Sequence, residues 1–173
     1  MKKAICLASV FTVVFIGWCV LRIVNSVSFS LGCEAYLQRA AVANTIELAK
    51  PELATAIEYA EQNGLTSGIV SIFLKNPTND IGYWYENLKA AYDELDKIPS
   101  DASALEKTNV LMKLRESLTN NSGGSDTNVV VPEGISIYPN NAAYFWVCIL
   151  SLTGSFISWI WTLEIAVKKG YVK

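Results

Sequence analysis

The fold is decided at the start of the chain, where residues 4–21 read AICLASVFTVVFIGWCVL without one charged side chain. Residues 142–167, AAYFWVCILSLTGSFISWIWTLEIAV, form a second apolar run whose single charge is Glu164. A helix of about 20 apolar residues crosses the hydrocarbon core of a bilayer. Backbone groups in lipid must satisfy their own hydrogen bonds, so each run is expected to be helical. The sequence therefore predicts transmembrane helices over residues 4–25 and 141–167.

A cleaved signal peptide is the alternative interpretation of the first run. Lys2 and Lys3 give it a positive start, but its apolar stretch exceeds the roughly 7–15 residues of a signal core. No pair of small residues suited to cleavage follows it closely. We therefore expect an uncleaved anchor.

Charge predicts the orientation of both spans. Lys2 and Lys3 precede the first span, and three lysines follow the second in residues 168–173. Residues 25–140 hold 8 Lys and Arg against 15 Asp and Glu, a net charge of 8 − 15 = −7. Positive flanks stay on the cytoplasmic side of a membrane. We expect cytoplasmic segments at residues 1–3 and 168–173, and an outer domain of residues 26–140 in a periplasm or lumen.

The region between the spans has helical periodicity. Spacings of three and four between apolar residues predict amphipathic helices over residues 30–49, 51–63, 80–98 and about 101–120, with Pro51 in a first turn. The four predicted buried faces consist of Cys33, Leu37, Ala40, Ala41, Asn44 and Leu48; Leu53, Ala56, Ile57 and Ala60; Ile81, Trp84, Leu88, Ala91, Tyr92, Leu95 and Ile98; and Leu105, Leu111, Leu114 and Leu118, with Met112 alongside. Such helices are expected to pack as an antiparallel four-helix bundle.

Two short β-branched runs interrupt the helical pattern. Residues 69–74, IVSIFL, and residues 129–131, VVV, predict a small two-stranded pairing. Residues 120–126, rich in Asn, Gly and Ser, predict a loop, and residues 120–122 match a glycosylation sequon, which leaves a eukaryotic secretory origin open. The predicted fold class is mainly all-α, with two transmembrane helices flanking a four-helix-bundle-like outer domain.

The composition excludes several chemistries. The chain has no histidine, which removes Ser-His-Asp and Cys-His catalysis and histidine metal ligands. It has no C-x-x-C spacing, no phosphate-binding glycine loop and no dinucleotide fingerprint. Asp93, Glu94 and Asp96 cluster without the loop geometry of a cation site. The acidic domain disfavours nucleic acid as a partner. We predict a non-enzyme without catalytic, metal or cofactor-binding residues.

Three consecutive aromatics, Tyr83, Trp84 and Tyr85, point in three directions on a helix. Trp84 belongs to the predicted apolar face, so Tyr83 or Tyr85 is expected to be partly exposed. Amphipathic aromatics beside a turn suit contacts with a partner, a small ligand or the membrane interface. The alternative is that neighbouring loops and helices cover all three.

Small residues recur four apart in the second span, as Ser151 with Ser155 and Gly154 with Ser158. Such pairs let helices approach closely. Contact with the chain's own first span is the simplest use. Contact between protomers, or with another membrane protein, is the functional alternative.

Two single residues complete the candidate sites. Cys33 is the one cysteine outside the spans, and either forms an intermolecular disulfide or is a buried free thiol on the helix face. Glu164 is an intramembrane carboxylate, a functional-site candidate by default. An ion pair with Lys168, four residues later near the interface, explains it without a function.

The stretch from LTSG at residues 65–68 through IGYWYENL at residues 81–88 resembles a family of small two-span membrane proteins from cyanobacteria. The resemblance covers about half of the chain. It implies a bacterial plasma or thylakoid membrane and carries no activity or functional residue.

Two functions are ranked ahead of a distant third, an enzyme whose chemistry uses only Asp, Glu, Tyr or Ser side chains. The favoured hypothesis is a non-enzymatic, membrane-anchored interaction or scaffold protein, either a homo-oligomer or an accessory subunit of a larger membrane complex. The alternative is an extracytoplasmic sensor module that binds a small apolar or aromatic ligand near Trp84 and signals through a separate membrane partner. In both cases the lipid bilayer is a partner and nucleic acid is not.

Overall fold

The computed structural model describes residues 2–99, 101–120 and 128–170, and most of the predicted loop at 120–126 lies outside them. The described chain forms two compact units, one from Met1–Asn25 with Asn140–Lys173 and one from Ser26–Pro139. In chain order the elements are α1 (Lys2–Phe29), a π-helical turn (Ser30–Glu34), α2 (Ala35–Val42), α3 (Ile46–Gln62), a 3-10 turn (Pro77–Asn79), α4 (Ile81–Lys97), α5 (Ala104–Leu118), β1 (Thr119–Asn120), β2 (Asn128–Val129), a second 3-10 turn (Ile135–Ile137) and α6 (Asn141–Lys168).

The first unit contains two long apolar helices. Both α1 and α6 are long and apolar enough to cross a membrane, as the sequence predicts. Only 11% of the most apolar window of each is buried, which distinguishes them from the core helix of a soluble domain. They are antiparallel, because Thr12 lies beside Ser155 and Trp18 lies beside Tyr144.

The second unit is a helical domain around one core. Helix α2 packs against α3 and α5, and α4 packs against the same two helices. The small side chains of Ala49, Ala56 and Ala60 in α3 are fully buried, which lets the neighbouring helices come close. Burial of the larger core residues removes apolar surface from water and is the main stabilising contribution. These include Leu37, Leu53, Ile81, Leu88 and Leu95.

The prediction of one continuous helix over residues 30–49 is wrong. Helix α2 stops at Val42, and Ala43 is extended. A new helix begins after Thr45, whose hydroxyl caps it by accepting from the Leu48 N–H at 3.3 Å. The restart changes the helical phase, so Leu48 is exposed rather than buried. Pro51 consequently lies inside α3 and not in a first turn.

Helix α4 confirms the prediction for residues 80–98 to within a residue at each end. Helix α5 is shorter than predicted, because Ser103 caps its start. Leu114 and Leu118 are buried, but Leu105 is 71% exposed. Leu105 precedes Leu111 by six residues, which at 3.6 residues per turn places the two roughly 120° apart around the helix. Leu105 therefore does not belong to the buried face of α5, although it was predicted to.

A two-stranded antiparallel sheet is present, as predicted, but one of its strands differs. Thr119 pairs with Val129, and Asn120 pairs with Asn128. Residues 69–74 do not form a strand, and only Ile69 makes a bridge, to Asp80. The observed pairing joins positions about ten residues apart. Closing this short loop costs less entropy than pairing residues 69–74 with residues 129–131, which are much farther apart in the sequence.

Candidate functional site

The aromatic triplet lies in the first turns of α4. Asp80 caps this helix, since its Oδ1 accepts from the Tyr83 N–H at 3.1 Å. Tyr83 is 69% exposed, whereas Trp84 and Tyr85 are each 7% exposed. The helix therefore presents Tyr83 to solvent and turns its two neighbours inward.

Tyr85 has a structural contact of its own. Its hydroxyl donates to Oε1 of Glu61 at 2.6 Å and so links α4 to α3. This hydrogen bond, with burial and the neighbouring carboxylates, raises the pKa of Tyr85 to about 12. Ionisation would place a phenolate beside the Glu61 carboxylate. Tyr85 therefore remains a neutral donor at physiological pH, and its hydroxyl serves the packing of α4 on α3.

An apolar loop precedes the triplet. The Val70 N–H donates to the Asn79 carbonyl at 3.0 Å, and the Ile81 N–H donates to the Gly68 carbonyl at 2.8 Å. These bonds close the loop of residues 72–78 against the start of α4. Near its tip Phe73 is 67% exposed and Leu74 is 83% exposed. We refer to Ile72, Phe73 and Leu74, all solvent-exposed, as the apolar tip.

A groove of about 510 Å³ lies between α4 and α5, beside Trp84. Mostly apolar residues line it, drawn from the loop, both helices and the segment after β2; they are Pro77, Thr78, Asp80, Tyr83, Trp84, Asn87, Leu88, Ser117, Leu118, Val130 and Pro132. A second cavity of about 500 Å³ shares Tyr83, Asn87 and Ser117 with it and adds the charged Glu94 and Lys113. The two adjoin along the contact between α4 and α5, and the second combines apolar with charged side chains.

One residue of the groove lining, Trp84, has an unusual polar atom. The Trp84 Nε1 is buried and has no hydrogen-bond partner within the described part of the chain. An indole nitrogen is a donor only, and a buried donor without an acceptor costs about 1–3 kcal/mol. Such groups are rare in folded proteins and require an explanation.

The small residues of the second span face the chain's own first span. The Ser155 and Thr12 hydroxyls are 3.0 Å apart, and the Phe11 ring lies against Gly154. Ser151 and Ser158 are buried in the same unit. The side chain of Phe11, and not a second backbone, thus occupies the notch at Gly154.

Cys33 and Glu164 both have local contacts. Cys33 is fully buried, with Sγ 3.8 Å from the Ala56 carbonyl oxygen, a placement that favours the buried free thiol over the intermolecular bridge. Glu164 accepts from Lys168 at 2.6 Å, the pair anticipated from their spacing. Asp96 of the acidic cluster is paired with Lys50. Across residues 2–99, 101–120 and 128–170, no three Cys, Asp or Glu side chains are grouped to hold a metal ion.

Sequence reasoning placed Trp84 at this site but missed its partners in the groove wall. Asn87 follows Tyr83 by one helical turn, so its position could have been inferred from α4 alone. Ser117, Val130 and Pro132 depend on how α5 and the segment after β2 pack, and no local pattern reveals that.

Comparison with protein-family models, with curated proteins and with solved structures finds no match to this chain. The site itself combines an exposed apolar tip, an exposed tyrosine and an adjoining groove, which suit contact with a partner or a ligand.

Proposed function

We propose that this chain is a non-enzymatic, membrane-anchored interaction protein that serves as an accessory subunit to another membrane protein. The observation that carries the proposal is the apolar tip, where Phe73 and Leu74 are mostly exposed one short loop before Tyr83. Contiguous exposed apolar side chains on a soluble domain mark interaction sites. The small-residue face of α6 is already occupied by α1, which favours a different protein over a second copy as the partner.

The proposal includes a topology. Both termini are cytoplasmic, α1 and α6 cross a bacterial plasma or thylakoid membrane, and residues 26–140 form a four-helix bundle on the outer side. The distribution of lysines supports this orientation. Ser67→Cys, at an exposed position of the domain, should react with a membrane-impermeant thiol reagent on intact cells. Lys2→Cys should react only after lysis, and the opposite pattern would invert the topology.

The interaction is tested by the native mass of the gently solubilised, tagged chain, with mass spectrometry of the proteins that accompany it. We expect a complex larger than the monomer that contains a second membrane protein. Phe73→Ser with Leu74→Ser should release that partner. Leu105→Ser, at an equally exposed leucine on α5, should retain it. A bare monomer, or equal loss in both variants, would count against the proposal, and a homo-oligomer would replace the accessory role by self-assembly.

The groove beside Trp84 favours a second candidate function, the ligand-binding sensor module. Its volume falls within the range of about 300–1,000 Å³ typical of small-molecule sites, and its lining is apolar with a few polar groups. In this function the domain binds a small ligand and signals through a separate membrane partner.

A further inference from the structure

We propose that the groove binds a small aromatic or apolar molecule carrying a carbonyl-type hydrogen-bond acceptor, and that Trp84 Nε1 donates to that acceptor. This inference rests on the second candidate function and names its ligand class. It joins two independent observations, a preformed apolar groove and, on the lining residue Trp84, a buried donor that lacks an acceptor within the described residues.

The apolar body of the ligand follows from the lining. Leu88, Leu118, Val130 and Pro132 offer only aliphatic contact, and Trp84 and Tyr83 add aromatic side chains to the lining. Aromatic rings prefer offset-stacked or edge-to-face contact with such side chains. An anionic group placed here would lose its hydration without a partner, since the described lining has no Lys or Arg and its one acidic side chain is Asp80.

The hydrogen-bond acceptor of the ligand is inferred from the Trp84 Nε1 donor, which has no partner among the described residues. A ligand without an acceptor leaves Nε1 as it is in the free protein, whereas a carbonyl oxygen replaces an unmet donor by a hydrogen bond. The Nε1 atom is itself covered, so the indole must turn toward the groove when the ligand binds. Trp84 thus lines the groove, and its rotation brings Nε1 within reach of the ligand's acceptor.

The probe pair is acetophenone and α-methylstyrene, which share one shape and differ by a carbonyl oxygen against a methylene. Both are titrated into the full-length chain in lipid nanodiscs, with indole-¹⁵N-labelled tryptophan and measured free aqueous probe concentration. The indole resonance of Trp84 is assigned by its loss in Trp84→Phe. Trp18 and Trp159 are internal controls, because each Nε1 already donates, to the Tyr144 carbonyl and the Thr12 hydroxyl.

We expect acetophenone to bind roughly 3- to 10-fold more tightly than α-methylstyrene, the ratio that one neutral hydrogen bond supports. Only the Trp84 N–H resonance should move downfield, and the preference should vanish in Trp84→Phe. Val130→Trp, which fills the groove from a half-exposed position, should abolish binding of both probes. Leu105→Trp, an exposed position outside the lining, should not.

The possible outcomes distinguish failure of the proposed hydrogen bond from failure of the ligand-binding function. Equal binding of both probes, blocked by Val130→Trp, would overturn the acceptor while leaving a ligand-binding groove. Absence of groove binding by either probe would overturn both. If Trp84→Phe fails to fold, the Trp84 resonance is assigned by elimination, from the loss of the other four indole resonances in Trp18→Phe, Trp146→Phe, Trp159→Phe and Trp161→Phe, so that the wild-type readout stands on its own.

Discussion

Replacing Gly32 by Ala should destabilise the domain, although alanine is the better helix former. Gly32 lies in the π-helical turn, directly against the ring of Tyr59 in α3. A Cβ at this position would lie 2.6 Å from Cδ2 and 3.1 Å from Cζ of Tyr59, and closer still to Cε2. Carbon atoms in contact are about 3.5–4.0 Å apart, so the ring must retreat by about 1 Å or more.

Two opposing contributions set the size of the effect. Alanine in place of glycine favours a helix by about 1 kcal/mol. Overpacking of a well-packed interior costs about 1–3 kcal/mol, and displacement of a ring rather than a flexible chain end places this case near the upper limit. The displaced ring also loses its edge contact with Phe29, at a centroid distance of 6.1 Å. We expect a net loss of roughly 1–2 kcal/mol of unfolding free energy.

Tyr59→Ala should reverse the sign. With the ring absent, Gly32→Ala meets no obstacle and should stabilise by up to about 1 kcal/mol, which gives an interaction energy of roughly 2–3 kcal/mol in a double-mutant cycle. Alkylation of the buried Cys33 thiol, measured against urea concentration in mild detergent, reports opening of this part of the domain. Gly17→Ala, where no atom lies within 4 Å, is the control and should leave the Cys33 rate unchanged. An equal cost of Gly32→Ala in both Tyr59 backgrounds would refute the packing argument.

Three further predictions concern buried groups. Because the folded-state pKa of Tyr85 is about 12 against 10.0 ordinarily, its contribution to stability is complete below pH 10 and is lost as pH rises toward 12; the phenolate absorbance difference between wild type and Tyr85→Phe should titrate near pH 12, and titration near 10 would contradict the Glu61 bond. Leu114→Ala should cost about 2–5 kcal/mol and Leu105→Ala less than about 0.5 kcal/mol by urea unfolding, a contrast that equal effects would remove. Cys33, as the sole cysteine, should react with a water-soluble maleimide only after denaturation and form no dimer on non-reducing gels; rapid labelling of the folded chain would show that the thiol is accessible.

The two long apolar helices and the helix of residues 80–98 could be predicted because each is determined by its local sequence. In lipid, the backbone of a long apolar run must be helical to satisfy its own hydrogen bonds. Asp80 marks the start of α4, and the apolar residues that follow at helical spacing define its buried face. The break at residues 43–45 could not be predicted in this way. Ala43 has high helix propensity, and only the capping of a new helix by Thr45 offsets the lost turn.

The candidate site was predictable to the same extent. Three consecutive aromatics on a helix cannot all face one core, so exposure of Tyr83 or Tyr85 could be predicted from helical geometry, and Tyr83 is the exposed residue. The groove depends on which residues of α5 and of the segment after β2 face α4, a matter of tertiary packing. That Trp84 Nε1 has no acceptor among the residues the structure describes likewise cannot be predicted from the sequence, because it depends on all the groups that surround the atom.

The apolar tip and the groove belong to one stretch of chain, which links the two candidate functions. Pro77 and Thr78 line the groove and end the loop whose tip carries Phe73 and Leu74. We expect a ligand that favours one arrangement of Pro77 and Thr78, and with it one position of the tip, to change the free energy of the tip's contact with a partner. Thermodynamic linkage requires the reverse effect to be equal, so the partner must change ligand affinity by the same factor. The interaction function and the sensor function then differ only in the size of this coupling. The ratio of acetophenone affinities with and without the captured partner measures it directly.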